Sequence, residues 1–427
     1  MNPIEAIYQH FQKSYKVTTD SRKVEQDAVF FALKGENFDA NDFALQVAEE
    51  GKASLVVADR KDLPRHEHIL IVEDTLKTLQ SLAAYHRQQS KAIVISITGT
   101  NGKTTTKELV SAVLAKKYNI IHTQGNFNNH IGVPLTLLTI QPETEIAVVE
   151  MGANHPGEID FLCKIADPDY GLITNIGKAH LEGFGSFEGV IKTKTELYRH
   201  IKNHGKAVFV NQGNPLLWEQ SEGQERISYG RHCAAFCPVA PGACNPYLSV
   251  FWRKHLIQTH LVGSYNFENV AAAIGVGQYF GVEENAIIEA LEAYTPTNSR
   301  SQVIETEKNR IIMDAYNANP TSMRAALINF ARICGEQHLL ILGDMRELGT
   351  ASEEEHRNIL SLMKELGYKD ALLIGQNFCA YNDNPHWKTF ENVVDLCQYL
   401  ESYPVRGKTI LVKGSHSVQL EKVLPLL

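Results

Sequence analysis

Short apolar runs alternate along the chain with longer stretches in which apolar residues recur at helical spacing. In the first half, four such runs end in a polar residue or a glycine: 92–99 (AIVISITG), 145–152 (EIAVVEMG), 170–177 (YGLITNIG) and 206–211 (KAVFVN). Continuous apolar runs of this length are typical of strands that are buried on both faces of a parallel sheet. Because a helical stretch follows the runs, the pattern predicts an α/β domain with a largely parallel sheet.

A second series of apolar runs follows the proline-marked segment 293–300 (AYTPTNSR). Its four members lie at 311–319, 338–345, 370–377 and 408–415. This repetition predicts a second, Rossmann-like α/β domain. In open sheets of this kind ligands bind at the carboxyl ends of the strands, so the residues that follow each run are the first candidates for chemistry.

The first 90 residues contain strand-like runs at 28–43 and 53–59, which are too few for a doubly wound sheet. A chain of 427 residues also exceeds one ordinary core, since a domain usually holds about 100–200 residues. We therefore predict three domains: a small mixed N-terminal domain at 1–90, a central parallel-sheet domain at 91–294 and the C-terminal domain at 295–427.

Composition narrows the class of protein. Hydrophobic residues make up 44% of the chain and charged residues 21%, which is ordinary for a globular protein. No apolar run approaches the ~18 residues of a membrane span, and the first residues lack a signal-peptide pattern, so we expect a cytoplasmic protein. The net charge of −8 without a basic stripe argues against a nucleic-acid partner.

The seven cysteines form an odd, scattered set, which favours a reducing compartment over a disulfide framework. Three of them cluster at Cys233, Cys237 and Cys244, with His255 and His260 downstream. Because this cluster lacks a CxxC pair, a surface hairpin that carries thiols is favoured over a zinc site. The other four are Cys163, Cys334, Cys379 and Cys397.

The segment GTNGKT (99–104) carries the strongest chemical signal, because it joins a predicted strand to a helical stretch. Backbone N–H groups of such a glycine turn bind phosphate oxygens, Lys103 would meet the terminal phosphates, and the Thr104 hydroxyl would bind Mg²⁺. The usual opening glycine is replaced by Ile97, which makes the loop two residues shorter than the general pattern. A glycine turn with a solvated lysine is the disfavoured alternative. The predicted phosphate-binding residues are Gly99, Thr100, Asn101, Gly102, Lys103, Thr104 and Thr105.

Two side chains near the ends of later predicted strands, Glu150 and His180, could bind a metal ion beside this loop. Glu150 ends an apolar run, where an unpaired carboxylate is costly unless it meets water or a cation. His180 follows the next run and could bind or orient a ligand at the same edge of the sheet. For Glu150 metal binding is favoured over a helix-capping or solvated carboxylate, whereas His180 taken alone would be a surface or packed histidine.

Lys194 lies within an apolar stripe of the helical stretch that contains Phe187, Val190 and Ile201, whereas Lys192 points elsewhere. Either its stem reaches the surface, or its amine is desolvated, which lowers the pKa and makes the amine reactive. The residues alone leave both interpretations open.

Further motifs follow in order over nearly the whole chain. They lie at 18–24 (TTDSRKV), 30–43 (FFALKGENFDANDF), 125–138 (GNFNNHIGVPLTLL), 150–159 (EMGANHPGEI), 175–186 (NIGKAHLEGFGS), 314–323 (DAYNANPTSM), 342–349 (LGDMRELG) and 411–421 (LVKGSHSVQLE). Together with TGTNGKTT at 98–105, they resemble the motifs of the Mur ligases, ATP-dependent amide-forming enzymes of peptidoglycan synthesis. The short phosphate loop is the form found in that family and in its folylpolyglutamate synthetase relatives.

The resemblance implies a central domain of the P-loop ATPase type and an ATP-dependent ligase. The pairing of 314–323 with 342–349 resembles the members that join D-alanyl-D-alanine to UDP-N-acetylmuramoyl-tripeptide. It implies two Mg²⁺ ions held by Thr104, Glu150, His180 and Lys194, with Lys194 carbamylated by CO₂. Lys103, Glu150, His180 and Lys194 are then the predicted catalytic residues, in a protein expected to be a monomer without a membrane span.

Further site residues are implied by position in the matching motifs. Asn266 and Asn269 match residues that contact adenine, and Arg300 and Asp314 match residues that reach the γ-phosphate and the ribose. The predicted substrate residues are Ser21, Arg22, Lys34 and Gly35 at the UDP end, and Asn128, Asn129, Asn317, Lys413 and Ser415 nearer the reacting groups.

The sequence departs from the family pattern at His130, Tyr265 and His416, where glutamate, histidine and arginine are usual. A sister ligase that adds the third residue of the peptide is one alternative, because NDNPH (382–386) resembles its DNPR. His386 lacks the forked guanidinium that would bind the carboxylate of the incoming amino acid. A nucleotide-dependent binding protein without ligase activity is the other alternative.

Overall fold

The computed structural model describes residues 3–297, 300–333 and 337–427; Cys334 lies outside these ranges. The described residues form three sheets, one in each predicted domain, and the predicted α/β class is confirmed. None of the helices in these ranges combines the length and the apolar character that crossing a bilayer requires.

The N-terminal part is built on a four-stranded sheet that is parallel throughout, in the order β1-β2-β3-β4. Its strands are β1 (Val17–Thr18), β2 (Val29–Phe31), β3 (Leu55–Ala58) and β4 (Ile69–Ile71), and its helices are α1 (Pro3–Phe11), α2 (Ala44–Glu49) and α3 (Thr75–Gln89). β2 and β3 are buried along their whole length, as their apolar runs predict.

The central part contains a nine-stranded sheet in the order β13-β12-β11-β10-β9-β8-β5-β7-β6. Its strands are β5 (Ile93–Thr98), β6 (Ile120–His122), β7 (Ile146–Glu150), β8 (Tyr170–Ile173), β9 (Ala207–Asn211), β10 (Arg226–Gly230), β11 (Cys237–Cys244), β12 (Tyr247–Trp252) and β13 (His255–Val262). Its helices are α4 (Lys103–Leu114), α5 (Gly132–Leu137), α6 (Glu158–Ala166), α7 (Leu181–Phe184), α8 (Phe187–Lys194), α9 (Glu196–His204), α10 (Pro215–Gln220), α11 (Phe267–Tyr279) and α12 (Glu284–Ala293).

Seven neighbouring strands of this sheet, in the order β11-β10-β9-β8-β5-β7-β6, pair in parallel, and β5 lies between β7 and β8. The chain therefore leaves β5 at a point where the strand order reverses, which is where open α/β sheets bind ligands. One apolar core lies on each face of this sheet. The core on one face also contains Ile7, Phe11 and Leu79, so the N-terminal part packs directly against the central one.

The C-terminal part has a six-stranded sheet in the order β14-β15-β19-β16-β17-β18, in which only the β14–β15 pair is antiparallel. Its strands are β14 (Gln302–Glu305), β15 (Arg310–Asp314), β16 (His338–Gly343), β17 (Ala371–Ile374), β18 (Trp387–Phe390) and β19 (Thr409–Lys413). Its helices are α13 (Pro320–Ile333), α14 (Ser352–Glu365), α15 (Gln376–Tyr381) and α16 (Val393–Ser402). We retain 1–90, 91–294 and 295–427 as the proposed domains.

Two details refine the sequence-based picture. The apolar stripe that contains Lys194 is carried by two helices, α8 and α9, which meet at Thr195. The Thr195 hydroxyl donates to the carbonyl of Ile191 at 2.8 Å, a backbone contact that is typical of bent helices.

The cysteine cluster lies on a hairpin, since β11 and β12 pair in antiparallel fashion. Cys237 is buried and Cys233 is exposed. Across the described ranges, no three His, Cys, Asp or Glu side chains are grouped so that they could hold a metal ion.

Candidate active site

A cavity of about 1100 Å³ lies at the carboxyl ends of β5, β7 and β8. All three proposed domains contribute to its lining: Gln80 from the first, the glycine loop and Glu150 from the second, and Asp314 from the third. The Gln80 side-chain amide also donates to the backbone carbonyl of His130 at 2.9 Å, which ties the first domain to this rim. The strand ends predicted from the sequence therefore meet in one chamber.

The glycine loop needs both of its glycines. Gly99 and Gly102 have φ values of +141° and +78°, a region that other residues rarely adopt. A Cβ atom on Gly99 would lie 2.0 Å from Thr174 Oγ1, and one on Gly102 would lie 2.5 Å from Asn269 Oδ1. Gly102 immediately precedes α4, so the positive end of that helix faces the cavity.

Lys103 is folded back onto this loop, where its Nζ donates to the carbonyls of Gly99 at 2.9 Å and Thr100 at 3.1 Å. Burial lowers the pKa of Lys103, the negative charge of Glu150 opposes this shift, and the positive charge of Arg300 adds to it. Thr104 and Thr105 line the cavity beside it. The loop thus presents one cation and two hydroxyl groups to an anionic ligand.

Glu150 ends β7 and is only 1% exposed. Its Oε1 accepts a hydrogen bond from the Asn128 amide at 2.8 Å, whereas its Oε2 is buried without a hydrogen-bond partner. A buried carboxylate oxygen without a donor is costly unless a cation approaches it. The predicted role of Glu150 as a metal ligand therefore fits its surroundings.

His180 lines the cavity immediately before α7, with φ of +50°. Its Nδ1 contacts the carboxylate of Glu347, which lies in the C-terminal domain. The hydrogen bond to His180 is the main cause that lowers the pKa of Glu347. This contact was not foreseen from the sequence.

Lys194 is 2% exposed, so its amine does not reach the surface and the desolvated interpretation applies. Nζ donates to the carbonyl of Ala153 at 3.3 Å and lies 5.5 Å from the centre of the Phe184 ring. Burial, together with the positive charge of Lys103, lowers the pKa of Lys194 to about 7. Much of this amine is therefore neutral near pH 7.

Asn266 and Asn269 line the cavity next to the glycine loop. Asn269 accepts a hydrogen bond from Thr106 Oγ1 at 3.0 Å and donates one to Asn266 Oδ1 at 2.8 Å. The Asn266 amide donates in turn to the carbonyl of Val262 at 2.8 Å. The two predicted nucleotide contacts thus also brace the loop from behind.

The C-terminal domain also contributes charged side chains to the cavity lining. Asp314 accepts a hydrogen bond from Lys413 Nζ at 2.7 Å, and Lys413 also donates to the carbonyl of Asn317 at 3.2 Å. The Arg300 guanidinium lies 3.6 Å from the centre of the Tyr316 ring, with its Nε buried and without a hydrogen-bond partner. Arg300 is therefore available to an anion, whereas the charge of Lys413 is already engaged by Asp314.

The remaining predicted substrate residues divide into two sets. Asn128 and Asn129 line the cavity. Ser415 is buried outside the lining and accepts a hydrogen bond from the backbone N–H of Arg346 at 3.0 Å. The four residues of the N-terminal domain also lie outside the lining: Ser21, Arg22, Lys34 and Gly35.

Two cavity contacts escaped the sequence-based prediction. The Asn319 amide donates to Asn101 Oδ1 in the glycine loop at 2.7 Å, and Glu347 contacts His180. Both residues lie inside motifs that the sequence singled out, at 314–323 and 342–349. The two motifs therefore mark these residues in the sequence, whereas the partners of their side chains depend on how the two domains pack together.

Comparison with known proteins places this geometry in a family. Residues 97–277 match the description "Mur ligase middle domain", and residues 299–416 match "Mur ligase, glutamate ligase domain". The UDP-N-acetylmuramoyl-tripeptide–D-alanyl-D-alanine ligase of Bacillus subtilis (strain 168) is 36% identical to this chain, over 96% of this chain and 92% of its own. The chain belongs to the Mur ligase family.

Solved Mur ligase structures share the fold over nearly the full length. The crystal structure of MurF from Acinetobacter baumannii superposes with a TM-score of 0.85 at 31% identity, covering 96% of this chain and 92% of its own. MurF from Thermotoga maritima, solved in complex with ADP, gives a TM-score of 0.83 at 27% identity and covers 96% of each chain. The three-part Mur ligase architecture is therefore present in this chain.

Proposed function

We propose that this protein is an ATP-dependent ligase that joins D-alanyl-D-alanine to UDP-N-acetylmuramoyl-tripeptide in cytoplasmic peptidoglycan precursor synthesis. The observation that carries this proposal is a cavity lined by the glycine loop and Glu150, with the buried Lys194 hydrogen-bonded to the lining residue Ala153, in a chain that resembles ligases of that name over 96% of its length.

The reaction needs activation, because a carboxylate does not react with an amine at neutral pH. Transfer of the γ-phosphoryl group of ATP to a carboxylate oxygen of the tripeptide gives an acyl phosphate and ADP. The amine of D-alanyl-D-alanine then attacks the acyl carbon, and the C–O bond breaks to release phosphate. The amine loses a proton as the amide forms.

The chain's own residues supply anion binding and shielding from water. Lys103 and the N-terminus of α4 hold the β- and γ-phosphates, and the unpaired Nε of Arg300 adds a donor from the opposite domain. Asn266, Asn269 and Asp314 line the same cavity and would contact the nucleoside. Closure of three domains around the chamber would keep water away from the acyl phosphate.

The residues around Glu150 fit the Mg²⁺ ions that the family uses with ATP. The unpartnered Oε2 of Glu150, the Thr104 hydroxyl and the His180 ring would hold them. When bound, Mg²⁺ neutralises phosphate charge and polarises the transferring group. His, Cys, Asp and Glu side chains alone do not complete such a site within the described part of the chain, so further oxygen ligands are required.

A carbamate on Lys194 would supply such oxygens. The neutral amine adds to CO₂ and loses a proton, which replaces a cation by an anion. The burial of Lys194 and its pKa of about 7 provide the neutral amine that this reaction needs. Lys194 would then bind the second Mg²⁺ together with His180.

The N-terminal domain would hold the UDP end of the long substrate. Ser21, Arg22, Lys34 and Gly35 lie outside the chamber, as expected for groups that bind the end remote from the reaction. Arg22 is paired with Asp20 at 2.9 Å, and its side chain is 84% exposed. Asn317, Lys413 and Ser415 would position the dipeptide in a monomeric enzyme.

The decisive experiment supplies purified protein with ATP, Mg²⁺, the UDP-linked tripeptide and D-alanyl-D-alanine. We expect phosphate release that depends on the dipeptide, and a UDP-linked pentapeptide by mass spectrometry. Phosphate release that ignores the dipeptide, without pentapeptide, would contradict the ligase assignment. Meso-diaminopimelate and lysine forms of the tripeptide, tested side by side, would identify the third residue.

A further inference from the structure

The contact between His180 and Glu347 joins two domains at the edge of the chamber. His180 lines the cavity, whereas Glu347 does not and its side chain is half exposed. Because His180 Nδ1 faces the Glu347 carboxylate, Nε2 is the ring nitrogen left for a ligand in the cavity. The imidazole therefore bridges the chamber and a carboxylate of the C-terminal domain.

The backbone around this contact is held in an unusual conformation on both sides. His180 and Glu347 both have left-handed backbones, with φ of +50° and +61°. Non-glycine residues adopt this region at a free-energy cost, and such strain concentrates at functional sites. The carbonyl of Glu347 also accepts a hydrogen bond from the N–H of Glu182 at 3.4 Å, so the two segments fit together at several points.

We infer that Glu347 is a positioning residue that fixes the ring of His180 for metal binding from the opposite domain. Histidines that bind metals commonly donate their other ring N–H to a carboxylate, which sets the tautomer and the ring orientation. The inference rests on the proposed function, because the metal is the one that accompanies ATP. Docking of the C-terminal domain then completes the metal site as well as the nucleotide site.

Mn²⁺ in place of Mg²⁺ tests this inference without turnover. Its dissociation constant would be measured by electron paramagnetic resonance on full-length protein with ADP and no peptide substrate. We expect Glu347→Ala to weaken Mn²⁺ binding about 10- to 100-fold, the range typical when the partner of a metal-bound histidine is lost. Glu347→Gln keeps an acceptor oxygen and is expected to weaken binding less.

A double-mutant cycle separates positioning from general damage. If Glu347 acts through His180, His180→Ala and the double variant His180→Ala/Glu347→Ala bind Mn²⁺ equally weakly. Glu353→Gln is the matched control, because Glu353 is an exposed carboxylate paired with Arg357 in the same domain, and it is expected to bind Mn²⁺ like the wild type.

Two results would overturn the inference: wild-type Mn²⁺ affinity in Glu347→Ala, or additive losses in the double variant. A wild-type protein that binds no Mn²⁺ with ADP would overturn the proposed function as well. Nitrogen-15 labelling of histidine adds a spectroscopic readout, since the ¹⁵N coupling to Mn²⁺ should weaken in Glu347→Ala in parallel with affinity.

Discussion

At the residue scale, three lysine amines with lowered pKa values and one buried carboxylate lie in or beside the chamber. Lys103, Lys107 and Lys194 all have pKa values lowered chiefly by burial, and Glu150 opposes the shift of the first two. Lys107 Nζ donates to the carbonyl of Thr123 at 2.7 Å, so it is held away from the cavity. The lining holds cations and carboxylates in nearly equal numbers, which suits a triphosphate with its metal better than a neutral ligand: Lys103, Arg231, Arg300, Arg332 and Lys413 against Glu150, Glu158, Glu268 and Asp314.

Lys103 is the first residue whose loss should be decisive. We expect Lys103→Ala to lower kcat/KM by about 100-fold or more, because a preorganised cation at the transferring phosphate is removed. Phosphate release in the ligase assay and the dissociation constant of ADP are the measurements. Lys117→Ala is the control, since this exposed lysine lies outside the cavity lining, where it donates to the carbonyls of Phe280 and Gly281. Equal activity of both variants would contradict the loop assignment.

Lys194 gives a prediction about pH. With a pKa of about 7, half of this amine is neutral at pH 7, whereas an ordinary lysine is neutral in roughly one molecule in 2,500. Only the neutral form adds CO₂, so carbamylation at constant dissolved CO₂ should rise as the pH increases through 7 and fall as it decreases. The carbamate carbon, observed by ¹³C NMR with labelled bicarbonate, measures the reaction.

The control for this experiment lies on the same helix. Lys192 is exposed, so Lys192→Ala should keep the ¹³C signal and the activity, whereas Lys194→Ala should lose the signal and about 100-fold or more of the activity. A signal that persists in Lys194→Ala, or that does not change with pH, would show that Lys194 is not the carbamylated residue.

The sequence predicted some of these residues better than others, for physical reasons. Lys194 stood out because its position on an apolar stripe is a local property of the segment 187–201. Glu150 stood out because it ends a buried strand. Glu347 and Asn319 could not be assigned partners, since their contacts with His180 and Asn101 span two domains and depend on how those domains dock.

At the element scale, the conformation of the phosphate loop depends on Gly99 and Gly102. The strand, the turn and α4 were predicted in this order, and the short loop follows directly from β5 into α4. What the sequence did not show is that Asn269 of α11 packs behind Gly102. The loop is therefore shaped by the helix behind it as well as by its own residues.

A comparison of Gly102→Ala with Gly51→Ala tests the packing of Asn269 behind Gly102. Both glycines have left-handed backbones, with φ of +78° and +69°, so each alanine costs about 1–2 kcal/mol in conformational free energy. Nothing lies within 4 Å of a Cβ on Gly51, whereas one on Gly102 displaces Asn269. We expect similar or somewhat greater loss of unfolding free energy for Gly102→Ala, but only this variant should lose ADP affinity, by about tenfold or more. Thermal unfolding and ADP titration measure the two effects; unchanged ADP affinity would refute the packing argument.

Other elements were predicted less completely. Apolar runs identified four strands of the central sheet and four of the C-terminal sheet, because these strands are buried over most of their length: β5, β7, β8 and β9, and β15, β16, β17 and β19. The division between α8 and α9 at Thr195 was missed, since the apolar stripe continues across it. The runs did not include β6, β10, β11, β12, β13, β14 or β18; in β13 buried and exposed positions alternate, which interrupts the apolar run.

At the scale of the whole molecule, the C-terminal domain touches the central one through several polar pairs. Asn319 reaches Asn101 of the glycine loop, Glu347 reaches His180, and Glu355 pairs with Lys178 at 2.8 Å. The Lys178 side chain is half exposed and that of Glu355 is buried, and neither residue lines the cavity. The contacts at the cavity are therefore the ones expected to couple domain closure to ATP binding.

Asn319 allows this coupling to be tested separately from stability. Its Oδ1 accepts from the N–H of Ser322 at 2.9 Å and so caps α13, while its amide donates to Asn101. Serine also caps helices but is too short to reach Asn101. We expect Asn319→Ser to keep the unfolding free energy within about 0.5 kcal/mol and to lower kcat/KM for ATP about tenfold, the equivalent of one lost hydrogen bond of ~1.4 kcal/mol.

Asn319→Ala should lose both the contact with Asn101 and the cap of α13. Loss of the cap is expected to lower the unfolding free energy by a further ~1 kcal/mol. Lys178→Ala serves as the control for a surface contact between the same domains and should keep kcat/KM for ATP. If domain closure is what Asn319 supports, the decrease in the radius of gyration that ATP produces in solution scattering should be smaller in Asn319→Ser than in the wild type. Wild-type kinetics in Asn319→Ser would instead mean that the contact with Asn101 does not help to form the closed enzyme.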